Sequence, residues 1–339
     1  MASSVVNEAS STSSIGAAWP PAPAAFERLR GIFNQGIVET AGDCASFADI
    51  FQYYCAELAG PTPPTRLSLR LVTYGRQLRL LESLGVTIEA AIPLANTEPE
   101  MVLAYAANNL TGREAGEQSL AVHRRLLQTV GEQRLRDTRD KRKLLIEAGF
   151  MPGAVERQQE TVDCTQLERQ FLEMYAIFGY DIHDVRQILT SPTNTIVYAA
   201  NQDGIVSTAM AERASIPIAG FGTLELAEIT EASTRPDYRQ RGLYKAVSGL
   251  LIEQLLMRQA IDPVHALYGE SNLTMPGVII ASYENGRNFS YFDHARFSVQ
   301  NPNFGILQQN FSIDDGREQR PYNDFAVSYV PLQSEAVTL

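Results

Sequence analysis

Glu228-Ile229-Thr230-Glu231-Ala232-Ser233-Thr234-Arg235-Pro236-Asp237-Tyr238-Arg239-Gln240-Arg241-Gly242-Leu243-Tyr244-Lys245 is the stretch on which the reading of this chain turns. A strand-like run from Leu224 leads into it and a proline-containing turn follows. After Arg-x-x-Gly a helical pattern begins at Leu243 and runs past Leu250, Leu251 and Leu255. A strand, a loop and a helix start leave backbone N–H groups free at the positive end of a helix dipole, and with basic side chains around them such groups hold phosphate. A helix cap with surface arginines is the plainer reading of the same residues, and the stretch alone leaves both open.

The surroundings narrow the choice. The chain has 339 residues, 45% of them apolar, enough for two ordinary globular cores. A formal charge of -11 and a sequence pI near 5.0 argue against nucleic acid as a partner, because binding it requires neutralising phosphates. A cationic small substrate suits such a field. The three cysteines, Cys44, Cys55 and Cys164, show no C-x-x-C spacing, so neither a disulfide framework nor a thiolate metal site is expected, and a cytoplasmic location follows. No apolar run has the length of a membrane span, so no membrane partner is expected. The Ser/Ala-rich residues 1–18 read as a disordered leader.

Residues 19–150 read as an N-terminal α/β domain. After a proline stretch at 19–23, Phe26, Leu29, Ile32 and Phe33 fall on one side of a predicted helix, and a second helix is expected near Phe47 to Leu58. Leu67 to Val72 alternates as a half-buried strand, a helix covers Arg76 to Leu84, and Val86 to Pro93 and Met101 to Ala107 follow as strands. Residues 115–148 read as one long helix whose charge-dense middle, Arg134 to Lys143, is a solvated face. Gly149 and Pro152-Gly153 mark the boundary.

Residues 151–339 open with helices at Gln166 to Phe178 and Asp184 to Leu189. Strands Thr195 to Ala200 and Ile205 to Ala211 are joined by the turn Asn201-Gln202-Asp203-Gly204. Strand Leu224 to Ala232, helix Leu243 to Met257, strand Pro263 to Tyr268, helix Pro276 to Glu284, and strands near Arg296 to Gln300 and Phe325 to Val330 complete the order. The expected class is α+β: a mixed central sheet with flanking helices, preceded by the smaller α/β domain.

This order, with Arg239-Gln240-Arg241-Gly242 after the central strand, resembles the Gcn5-related N-acetyltransferase (GNAT) superfamily, whose signature is Gln/Arg-x-x-Gly-x-Gly/Ala. More narrowly, Ala227 to Arg239 is similar to the β-lysine N-acetyltransferase family, where the same place reads roughly A-E-M-T-D-x-A-T-x-P-E-Y-R. Phe178 to Asp184 and Leu80 to Pro93 resemble two further segments of that family, so the likeness spans residues 65–332. Tyr244 stands where the signature has Gly or Ala, pointing either away from a pyrophosphate or across its path. Ile279 stands where the family has Asn, and the C-terminal block of the family is only partly matched at Asn323 to Tyr329.

The resemblance implies an acetyl-CoA-dependent N-acetyltransferase acting on a small amino acid or amine, β-lysine-like, with acetyl-CoA as co-substrate. It also implies that CoA meets Arg239, Gln240, Arg241, Gly242, Leu243 and Tyr244, with Lys245 nearby. An amine acceptor has a pKa near 10.4, so a base must remove its proton. Glu228, 14 residues before Gly242, stands at the offset where the superfamily often carries that base. Glu231 points to the other face of a regular strand unless a bulge re-aims it, and such a bulge is usual in the superfamily. Thr230, Glu231 and Ser233 are candidate acceptor contacts, and Tyr283 is the candidate acid for the leaving thiolate. Salt bridges, structural hydroxyls and a core aromatic are the competing readings of these residues. His183 and His265 lack metal-ligand spacing and read as satisfied loop or core histidines. Two other functions stay open: transfer of a longer acyl group to a natural-product intermediate, and a non-catalytic acyl-CoA-binding module. The N-terminal domain is left as a cover over the acceptor site, a homodimer surface or an eroded repeat of the acetyltransferase half.

Overall fold

In the computed structural model the described residues are 26–27, 32–38, 40–57, 68–97, 101–107, 117–155, 164–175, 181–218, 222–272, 275–289, 296–300 and 322–332. The proposed leader, the proline stretch and Phe178 to Tyr180 lie outside them.

The first half forms a small sheet from β1 (Phe26–Glu27), β2 (Ile32–Val38), β3 (Ser68–Tyr74), β4 (Thr87–Pro93) and β5 (Met101–Ala107), in the order β1-β2-β3-β5-β4, with β2 and β3 parallel. The helix expected over Phe26 to Phe33 is replaced by β1 and β2, an antiparallel pair in which Phe26 faces Phe33 in register. Apolar residues there suit either period, and pairing with β3 decides it. Strand alternation splits the small sheet into two faces. Leu71, Ile88, Ala91 and Ala104 pack under α1 (Ala41–Glu57) and α2 (Gly75–Ser83), with Phe47, Phe51, Leu78 and Leu81.

The opposite face joins the two halves. Val72, Ala90, Ile92, Leu103 and Tyr105 share one core with Ile216, Leu224, Leu226, Ala266, Tyr268, Val327 and Tyr329. The latter belong to a larger mixed sheet of β6 (Met151–Val155), β7 (Thr195–Asn201), β8 (Gly204–Ile218), β9 (Gly222–Thr234), β10 (Ala266–Asn272), β11 (Asn288–Phe289), β12 (Arg296–Gln300) and β13 (Tyr322–Val330). Its order is β11-β13-β10-β9-β8-β7-β6, with β12 on β13. Every pair is antiparallel except β9 with β10. The chain is thus α+β, a mixed sheet with flanking helices preceded by a smaller one.

On one side of the large sheet lie α5 (Cys164–Tyr175) and α6 (Ile182–Thr190), buried through Leu167, Phe171 and Val185 against Ile196, Ile205 and Met210. On the other lies α7 (Leu243–Arg258), whose Leu243, Val247, Leu250, Leu251 and Leu255 cover Val197, Val206, Ala227, Ile229 and Leu267. Next to it runs α8 (Pro276–Glu284). The expected 115–148 helix is two, α3 (Glu117–Gln133) and α4 (Lys141–Glu147), broken by residues 134–140. Asp140 caps α4 through a 2.9 Å bond from Lys143 N–H. Although both helices precede residue 150, α3 packs on α8 and α4 on α7.

The charge-dense stretch is mostly exposed, as expected, but it is not one helix face, and Asp137 and Lys141 turn inward. Asp137, 7% exposed in its side chain, pairs with Arg139 at 2.8 Å, Lys141 at 3.4 Å and Lys245 at 3.1 Å. Arg136 donates to the carbonyls of Tyr283 and Arg287.

Candidate functional site

Strand β9 carries the site because it changes neighbours along its length. Its parallel pairing with β10 covers three rungs: Leu226 with Ala266, Ala227 with Leu267 and Glu228 with Tyr268. Beyond the last of these β9 continues to Thr234 against β8, while β10 continues to Asn272 against β13. The two strands part after Glu228, and their facing backbone edges are no longer joined.

Glu228 shares the sheet face of Leu224 and Leu226, toward the small sheet, and is 7% exposed. Tyr268 donates to its Oε2 at 3.4 Å. From the small sheet Tyr105 reaches across to donate to Glu270 Oε1 at 2.9 Å. Two carboxylates and two phenols thus gather on the side where the halves meet.

The bulge expected near Glu231 is present. Thr208 pairs with Ser233 and Met210 with Thr230, so Glu231 and Ala232 together oppose Ala209. The extra residue reverses the alternation. Before it Ala227 and Ile229 face α7; after it Ala232 does. Ser233 is thereby turned to the α5 side, where its Oγ meets Thr208 Oγ1 at 2.7 Å and Gln170 Nε2 at 3.2 Å. With its hydroxyl so engaged and 3% exposure, Ser233 is part of the framework and not free to meet a substrate. Thr230 is half-buried on the Glu228 face, and Glu231 contributes its backbone to the bulge.

After β9 a single 3-10 turn, Pro236–Tyr238, starts the loop. The buried Tyr238 ties it to the β7–β8 turn, donating to Asp203 and accepting from Asn201 Nδ2 at 3.0 Å. Arg239 donates to Thr234 O at 3.2 Å and Arg241 to Asp237 O at 3.1 Å. Arg241 and Arg235 also lie over the Tyr238 ring, at 4.9 and 5.6 Å. Burial holds the Arg239 guanidinium below its ordinary pKa. Gln240 and Gly242 adopt left-handed backbone, φ 62 and φ 75, and no side chain caps the N-terminus of α7. The loop therefore delivers the first N–H groups of a 16-residue helix, from Leu243 on, uncapped and flanked by arginines. That geometry fits a pyrophosphate.

Three expected residues are placed elsewhere. Lys245 is held by Asp137 and by Glu284 at 2.9 Å, so it braces the helices and is not a free phosphate ligand. Tyr283 faces α3: its hydroxyl donates to Gly131 O at 3.2 Å and its ring lies 3.8 Å under the Arg136 guanidinium, so it does not join Glu228. Ile279, fully buried, packs with Val130 and Ala326. Tyr244, the second residue of α7, is half-buried.

The histidines read as expected for framework residues. His265 Nδ1 accepts the Glu225 N–H at 2.9 Å, and His183 lies exposed in the first turn of α6 behind the Asp181 cap. Sequence reasoning missed Tyr268, Tyr105, Glu270 and Arg287. Only the strand register Glu228 to Tyr268 could have found the first, and the others come together by tertiary packing.

No protein-family model matches the chain, and no curated protein does. Among solved structures it is similar to Arabidopsis thaliana NAA60 in complex with a bisubstrate analogue, with 11% identity and a TM-score of 0.38 over 54% of this chain and 100% of that one. It is also similar to the ribosomal-protein-S18-alanine N-acetyltransferase from Escherichia coli, with 13% identity and a TM-score of 0.38 over 56% and 99%. An aminoglycoside acetyltransferase from an uncultured soil metagenomic sample, in complex with sisomicin, matches at 11% identity and a TM-score of 0.28 over 52% and 93%.

Proposed function

We propose that the chain is an acetyl-CoA-dependent N-acyltransferase of GNAT type, acting on the amine of a small, β-lysine-like amino acid. One observation carries this: β9 and β10 part immediately after a buried carboxylate, and the loop leaving β9 runs into an uncapped helix N-terminus. A single element thus offers an acid–base group and a phosphate cradle.

In this reading the N–H groups from Leu243 on, with Arg239 and Arg241, hold the CoA pyrophosphate. The thioester, when bound, supplies an activated acyl carbon. Glu228 takes the proton of the acceptor ammonium, and Tyr268 orients its carboxylate. The unpaired edge of β9 beyond Glu228 offers backbone N–H groups toward the carbonyl where charge develops. The amine would attack the thioester carbon directly, with no cysteine among the site residues to carry the acyl group; the C–S bond would break, and CoA would leave as a thiolate that takes up a proton from solvent. Residues 151–339 are the catalytic unit. The small sheet covers the acceptor face, a placement that the Tyr105 to Glu270 bond supports.

The test is calorimetric titration of the full chain with CoA. Micromolar binding weakened by Arg239→Ala supports the reading, whereas no binding at millimolar CoA removes it. Binding that is followed by no turnover on any of a panel of amines would make the chain a CoA-binding module.

A further inference from the structure

Gly286, at φ 86, ends α8 and turns Arg287 into the interior, where the side chain is 2% exposed. Nη1 donates to Ser282 Oγ at 3.3 Å, while Nε and Nη2 are buried and meet no hydrogen-bond partner. Those two nitrogens form one edge of the planar guanidinium, and their parallel N–H bonds match the two oxygens of a carboxylate. A guanidinium stays charged inside a protein, so three of its five donors are left unmet in a dry place, an arrangement strongly unfavourable without a ligand.

The position of this edge matters. A Cβ on Gly269 would stand 2.4 Å from Nη2 and 2.6 Å from the Ile229 carbonyl oxygen. The guanidinium therefore lies against the one residue of β10 that can accept it, one rung beyond the last pair of β9 and β10. Burial disfavours its charge, and the Glu228 carboxylate offsets part of that cost. Gly269 shares the face of Leu267, so the guanidinium stands on the α7 side of the sheet, beside the gap that opens where β9 and β10 part, while Glu228 lines the small-sheet side.

We propose that Arg287 anchors a substrate carboxylate through its free Nε and Nη2 edge, at the point where β9 and β10 part. The carboxylate belongs either to the acyl group of the donor or to the acceptor amino acid; the recognition chemistry is the same. A thioester carbonyl alone, one neutral oxygen, would use one of the two donors and leave the charge unmatched. The inference deepens the acyltransferase reading and rests on it for the identity of the ligand.

Calorimetry on the full wild-type chain tests it in three arms. Succinyl-CoA is compared with butyryl-CoA, which has the same chain length and no carboxylate. With CoA present, β-lysine is compared with the diamine formed by removing its carboxylate. Succinate is compared with succinamide on the free protein, which reads the anchor independently of CoA. The expected result is a preference of at least about tenfold for the carboxylate in one of the first two arms, together with the same preference in the third. Arg287→Lys, which keeps the charge and loses the fork, should reduce it severalfold, and Arg287→Met should abolish it. Equal affinities within all three pairs would overturn the proposal even if acetyl-CoA binds normally. Should no CoA thioester bind while succinate is still preferred, the anchor stands and the acyltransferase reading falls. The wild-type comparisons decide the matter if either variant fails to fold.

Discussion

Tyr268 donates its phenol to Glu228 across the last rung that β9 and β10 share, at 3.4 Å. A hydrogen bond to the ionised carboxylate favours that form. Tyr268→Phe should therefore raise the pKa of the base. The expected outcome is that the acid limb of the pH profile of kcat/KM moves to higher pH, and that kcat falls about tenfold at neutral pH, a part of the roughly 10²–10⁴ that the base itself contributes. A profile unchanged in position would separate Tyr268 from the base.

Tyr283→Phe makes the opposite case. Its hydroxyl serves Gly131 O on α3, so the substitution should cost about 1 kcal/mol of stability and leave kcat unchanged. Thermal unfolding and steady-state rates check both halves.

Gly242 has φ 75, and a Cβ there would meet nothing within 4 Å. Gly242→Ala should therefore cost only backbone strain, about 1–2 kcal/mol, while tilting the first N–H groups of α7. Calorimetry is expected to show weaker CoA binding than the loss of melting temperature alone would suggest.

Asp137 joins the segment between α3 and α4 to α7 through Arg139, Lys141 and Lys245. The hydrogen bond from Arg139 is the main cause that holds its carboxyl well below the usual carboxylate range; burial opposes this, and Lys245 and Lys141 add to it. A depressed folded pKa means that the stabilisation is fully present above the unfolded value, about 3.9, and is lost as pH falls below it toward the folded value. Asp137→Asn should cost about 3 kcal/mol at pH 7, as breaking a buried pair does, and should flatten the decline of stability below about pH 4. Denaturant melts across that range measure it.

Much of the fold was legible because local and tertiary preferences agree. The Asn201 to Gly204 turn, the Leu243 helix and the alternation of Leu71 and Val72 each carry their own period. Where the two disagree, sequence misleads. Phe26, Leu29, Ile32 and Phe33 fit helical spacing, yet Phe26–Glu27 pairs as a strand with Ile32–Val38, which in turn pairs with β3. Met151 to Val155 contains Pro152 and Gly153, which read as a boundary, yet it forms β6 on β7. Most of the charged run at 134–140 is exposed, as its composition suggests, but its ties to Lys245, Glu284 and the Tyr283 carbonyl were hidden because those residues lie more than a hundred positions away.

The site divides in the same way. Glu228 and the Gly242 loop lie on one continuous stretch, and the bulge at Glu231 follows from the superfamily likeness. The partners of Glu228 do not, because Tyr268 reaches it by strand register and Tyr105 by the packing of two sheets. Arg287 follows an ordinary Gly at a helix end, and nothing in its neighbours shows that it turns inward opposite Gly269.

The central claim is that Glu228 is the base of an acyl transfer. Glu228→Gln keeps the size of the side chain and an oxygen for Tyr268 while removing the proton acceptor. The most direct measurement is free-thiol release from acetyl-CoA with a panel of small diamino acids, on wild type and Glu228→Gln, with CoA affinity followed in parallel. The account predicts turnover in the wild type, a fall in kcat of about 10²–10⁴ in the variant, and CoA affinity unchanged within about twofold. Turnover that survives the substitution undiminished would contradict it.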